Sequence, residues 1–165
     1  MKEFLLPILV FCAVTVTLGV FGYHYGMPYT KAYIENRFYG VIINDIGIDV
    51  RVADTQQKRV QGLSGVDKLA SNEGLLMVFD TPDYQGIWMK DMLFPIDIIW
   101  IDNSLTIIDI TPAATPESYP KVFEPQSPTR FILEMNARAA TSFGFKVGQK
   151  VRIADTILPK DLKNK

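Results

Sequence analysis

Apolar positions along this chain follow two regimes. Residues 4–22 are apolar almost without interruption, and from Phe38 onward apolar residues come in short runs broken by turn residues. Ile46, Ile48, Val50 and Val52 recur at period two, with Asp49 and Arg51 between them. That alternation predicts a half-buried strand. Similar runs at 38–44, 74–80, 105–111, 130–136 and 146–154 predict further strands, and Asn44-Asp45 reads as the turn between the first two. The segment GIWMKDMLFPIDIIWID, Gly86 to Asp102, reads as a hairpin. Its strands fall near Tyr84–Lys90 and Ile96–Asp102, with Asp91–Pro95 as the loop and Pro95 opening the second strand, where its missing N–H costs nothing. In that register Gly86 leaves room above Trp100.

Two stretches read as helices. One follows Asp54 or Thr55, with Gly62 as its terminal glycine; the other, ARAATSFG, stops at Gly144. Seven or eight short strands with two short helices predict a mainly β domain, a sandwich or partly closed barrel. Pro112 to Pro128 holds five of the ten prolines. It excludes a central strand or a helix and is expected to lie across a sheet face or edge. The tail after Ala154 reads as frayed.

The first regime reads as a transmembrane anchor. Phe4–Gly22 carries no charge, and twelve of its nineteen residues are Leu, Ile, Val or Phe. As a helix it spans roughly 28 Å, close to the hydrocarbon thickness of a bilayer. No small-residue cleavage triplet follows, so an uncleaved signal anchor is preferred to a cleaved signal peptide with secretion. The expected organisation is an anchor at 1–30, a linker at 31–37, a globular domain at 38–155 and a tail at 156–165. The domain is expected outside the cytoplasm.

Composition narrows the chemistry. A net charge of −1 offers no basic footprint for nucleic acid. The chain has one His, His24, and one Cys, Cys12, both in the N-terminal segment. A His/Cys zinc site, a Ser-His-Asp triad and an intramolecular disulfide are therefore excluded for the globular part. Carboxylates could hold a hard cation, but no Asp-rich loop of the needed density occurs. Neither a metal nor a cofactor is expected.

Four segments in order resemble the family called domain of unknown function 192. They are ADTQQKRVQGL with Arg59, Gly62 and Leu63; EGLLMVFD; WMKDMLFPIDIIWID; and FILEMNA with the later FGFKVGQKV. The resemblance spans about Val50 to Ile153. It implies a compact β-rich fold, often exported or membrane-tethered, and no particular reaction. Asp91 stands where the family carries Asn, and Arg138 where it carries Gly. Cysteines that many members carry in the proline-rich loop are absent here.

The expected function is a membrane-tethered binding or interaction module, with a groove between the 86–102 hairpin and the 112–128 loop. Trp88, Lys90, Asp91, Tyr119 and Trp100 are the candidate ligand contacts. Asp97, Glu134, Asn136, Gly62 and Pro95 are expected to support the site. Asp97 shares a strand face with Ile99 and Ile101, so its carboxylate needs partners; the Asp91–Pro95 loop backbone is the expected source. A carbohydrate, another small molecule or an envelope protein is the expected partner. Two alternatives remain: a hydrolytic enzyme using Asp97 and Glu134 as an acid–base pair, and a purely structural envelope protein.

Overall fold

The computed structural model describes residues 40–163. The anchor at Phe4–Gly22, the linker at 31–37, His24 and Cys12 lie outside the described residues. Among the described residues no helix is long and apolar enough to cross a membrane.

Nine strands and two short α-helices form the domain. The strands are β1 (Val41–Ile43), β2 (Ile46–Ala53), β3 (Glu73–Asp83), β4 (Ile87–Trp88), β5 (Ile96–Ile101), β6 (Ile107–Ala114), β7 (Val122–Phe123), β8 (Thr129–Asn136) and β9 (Val151–Ile153). The helices are α1 (Gln56–Gln61) and α2 (Ala139–Ser142). Seven strands make one sheet in the order β6-β5-β8-β3-β2-β1-β9, and β4 and β7 form a separate ribbon. Only β2 and β3 run parallel, and α1 lies in the connection that this requires.

This is a curled sheet, a half-barrel, and not two stacked sheets. Its edges meet at one end. Thr106 bridges Lys150, Ile107 N–H donates to the Gln149 carbonyl (2.9 Å) and Val151 N–H donates to that of Leu105 (2.8 Å). The central strands are apolar at almost every position because both faces are covered. On one face Ile99, Ile101, Leu133, Met135, Leu76 and Val41 pack inside the curl. On the other, Ile98, Trp100, Ile132, Leu75, Met77 and Leu63 pack with Ile87 of the ribbon.

Several expected elements form as read. Asn44 and Asp45, both at positive φ, make the two-residue turn joining β1 to β2. Thr55 Oγ1 accepts the Lys58 N–H (3.3 Å) to cap α1, and Gly62 ends it at φ 52°. Asp54 instead pairs with Lys58 (2.7 Å).

Three expectations are corrected. The 86–102 segment is no hairpin, since β4 pairs with β7, and β5 lies between β6 and β8. Gly86 makes room for Val122 and not for a ring above Trp100: a Cβ at Gly86 would lie 2.6 Å from Val122 Cγ1. The tail is also anchored. Leu158 and Leu162 are buried, and the side chain of buried Arg130 binds Asp161 (2.9 and 3.2 Å), Asn103 (2.8 Å) and the Phe79 carbonyl (2.6 Å). The proline-rich segment holds no central strand, but Pro116–Ser118 forms one short 3-10 turn where no helix was expected. Pro112 sits on β6, at an edge of the sheet, and Val122–Phe123 folds back onto β4.

Candidate functional site

A cleft of about 430 Å³ opens between α1 with its following turn, the outer half of β3 and the segment from Gln85 to Trp88. Leu63, Met77, Phe79, Ile87 and Met92 give it apolar walls, and Glu134 lies among its lining residues. Trp88 stands at its rim, 47% exposed.

Glu134 is placed by β8. Its direct neighbours across the sheet are Leu75 on β3 and Ile98 on β5, both apolar. Only 3% of its surface is exposed. Its carboxyl makes no hydrogen bond or ion pair among the described residues. Burial, with no compensating charge, pushes its pKa up to about 8. The carboxyl is therefore mostly protonated near neutrality.

Arg59 is the cation of the cleft, and it is already engaged. Its Nη1 donates to the Val78 carbonyl (2.7 Å), and its guanidinium lies 4.8 Å from the centre of the Phe79 ring. Val78 needs that donor because β2 pairs with β3 only as far as Met77.

The structure gathers some of the sequence candidates and scatters others. Trp88, Gly62 and Glu134 line the cleft. Lys90 and Asp91, both exposed, line an adjoining depression that shares Trp88, Val60, Gln61 and Ser64 with it. Tyr119 is exposed on the proline-rich segment, and no residue of 112–128 lines this cleft. Trp100 is a core residue with no exposed surface, its indole N–H donating to Thr111 Oγ1 (3.3 Å). Asn136 donates to the Leu69 (3.2 Å) and Ala70 (3.0 Å) carbonyls, fixing the loop before β3. Pro95 is exposed, and its carbonyl accepts the Ala137 N–H (3.1 Å).

Asp97 is fully buried and accepts three backbone N–H bonds. Oδ1 takes those of Ala113 (2.8 Å) and Arg138 (3.0 Å), and Oδ2 takes that of Ala140 (2.9 Å). Its donors come from β6 and the start of α2, not from the Asp91–Pro95 loop. Ile98 is paired with Glu134 and Asp97 with Met135, so the two carboxyls project from opposite faces of the sheet. They share no cavity, and the acid–base pair is excluded.

Arg59, Met77, Phe79 and Ile87 were missed as cleft residues. The Arg-x-x-Gly-Leu spacing of Arg59, Gly62 and Leu63 was the available signal, since all three line the cleft.

Residues 41–153 match the family of domain of unknown function 192, described as uncharacterised ACR. The chain belongs to that family. The family domain thus includes the whole cleft. Two solved structures are similar to this chain. One, from Sinorhizobium meliloti 1021, is described as a "putative transcription regulator"; it is 26% identical with a TM-score of 0.63, over 68% of this chain and 89% of that one. The other, a protein of unknown function from Novosphingobium aromaticivorans DSM 12444, is 26% identical with a TM-score of 0.64, over 68% of this chain and 81% of that one. No curated protein matches the chain.

Proposed function

We propose that this member of the family is a small-molecule binding module, tethered by Phe4–Gly22 with its domain outside the cytoplasm, and that the cleft between α1 and β4 is its binding site. One observation carries the reading: a buried carboxyl without a protein partner lines an apolar-walled cleft whose rim is an exposed tryptophan. The volume of about 430 Å³ lies within the roughly 300–1,000 Å³ range of small-molecule sites. Few, well-placed polar groups in an apolar pocket are what such sites use to orient a ligand. Regulation of transcription is not carried over from the Sinorhizobium protein, because a net charge of −1 supplies no footprint for DNA.

A fragment screen on the full chain, followed by chemical shift or tryptophan fluorescence, tests the site. Trp88→Ala and Glu134→Gln are expected to weaken a cleft ligand about tenfold or more, and Tyr119→Ala to leave it unchanged. Equal binding by all three variants would remove the cleft as the site. The tether has its own test. The full chain should stay with membranes after carbonate extraction, and a chain lacking residues 4–22 should not.

A further inference from the structure

We infer that the cleft, taken as the binding site proposed above, receives an alkylammonium group. The ammonium docks on the Glu134 carboxylate, and the aliphatic stem runs out between the apolar walls towards Trp88. The inference rests on a missing charge partner. Glu134 is 97% buried by its 3% exposure, aims into the cleft, and is flanked on both neighbouring strands by aliphatic side chains. A carboxylate in such a place is strongly disfavoured until a cation or donor reaches it.

The charged groups around it do not supply that partner. Arg59 of α1 is committed to the Val78 carbonyl and the Phe79 ring. Glu73, two residues before Leu75 on β3, accepts the Ala70 N–H (3.0 Å). Asp97 of β5 projects from the opposite face. Lys90 and Asp91 are exposed along the adjoining depression. Asp80, exposed on the cleft lining, adds negative charge near the entrance. An anionic ligand would meet Asp80 at the entrance and a second acid behind it, and the cleft's cation, Arg59, has part of its donor set on the Val78 carbonyl. A cationic ligand meets two acceptors, and Trp88 offers an aromatic face for cation–π contact.

Calorimetry on the full chain with hexylamine and the neutral hexanol separates this inference from the cleft itself. Docking the ammonium ionises Glu134, whose pKa is about 8 in the free protein. Hexylamine should therefore release close to one proton at pH 7, and hexanol none. The amine's affinity should rise about tenfold per pH unit up to roughly pH 8 and then level, by linkage. Glu134→Gln should abolish that slope and weaken hexylamine at least about tenfold at pH 8. Proton release is read on the natural chain, so it decides the matter even if the variant misfolds. Amine binding without proton release, or tighter binding of hexanoate than of hexylamine, overturns the ligand class. Hexanol binding while hexylamine does not bind overturns the ligand class and leaves the cleft standing. Failure of both probes overturns the two together.

Discussion

At Asp91 the backbone accounts for the residue better than side-chain chemistry does. Its φ is 56°, in the left-handed region that Asn and Asp tolerate best after glycine, and its side chain is exposed. Asp in place of the family's Asn therefore keeps what the turn requires. Asp91→Asn should shift stability by less than about 0.5 kcal/mol and leave cleft binding unchanged. Arg138 is the costlier departure. It sits at φ 70° in the position where the family resemblance places Gly. Arg138→Gly should raise the unfolding free energy in urea by about 0.5–1 kcal/mol, because relief of left-handed strain outweighs the added freedom of the unfolded chain. Asp97 gives the opposite result. As an acceptor of three N–H bonds it has no room for an amide donor. Asp97→Asn turns an NH2 group towards at least one of those donors. The expected loss is about 1–3 kcal/mol, read as a lower urea midpoint.

Elements defined by neighbouring residues were legible in the sequence, and those defined by distant pairing were not. The Asn44-Asp45 turn, the Thr55 cap and the Gly62 and Gly144 stops are local chemistry, and each forms. The Asp97 carboxylate could be read as needing partners from its strand face, but its donors at Ala113, Arg138 and Ala140 lie on distant residues. The 86–102 segment fails as a hairpin for the same reason. Both halves form strands, yet a strand reading does not say which strand a half will meet. Met92 N–H donates to the Met89 carbonyl (3.4 Å) and Asp91 turns left-handed, so Ile87–Trp88 and Ile96–Ile101 separate into different sheets. Trp88 thereby reaches the cleft rim while Trp100 enters the core. Gly86 is the tight point of the ribbon. Gly86→Ala would bring a Cβ to 2.6 Å from Val122 Cγ1, and Val is too stiff at χ1 to yield cheaply. β7 must then shift off β4. The expected cost is about 1–3 kcal/mol in thermal unfolding. Cleft ligands should weaken with it, because Gly86 and Trp88 both line the cleft.

On the scale of the whole molecule, one buried group among the described residues makes stability depend on pH above the acid range. Glu134 titrates at about 8 in the folded protein, against an ordinary value of 4.5. Between those values the folded chain holds a proton that the unfolded chain releases. The stabilisation is therefore complete below about pH 4.5, declines as pH rises, and is gone above about pH 8. Its span is on the order of a few kcal/mol, a large share of a domain's total. Asp54 and Glu117 act in the other sense. Hydrogen bonding to Lys58, helped by its charge, lowers Asp54, and backbone hydrogen bonding lowers Glu117, so both lose stabilisation only as the solution becomes acid. Above pH 5 those two carboxyls are ionised in both states, which leaves the slope to Glu134. Urea midpoints at pH 5, 7 and 9 should fall in that order for the natural chain and stay nearly level for Glu134→Gln. At pH 9 the variant should be the more stable protein, since it buries no charge. A natural chain equally stable at all three pH values would mean that Glu134 is not held as an unpartnered acid, and the basis for an ammonium ligand would go with it.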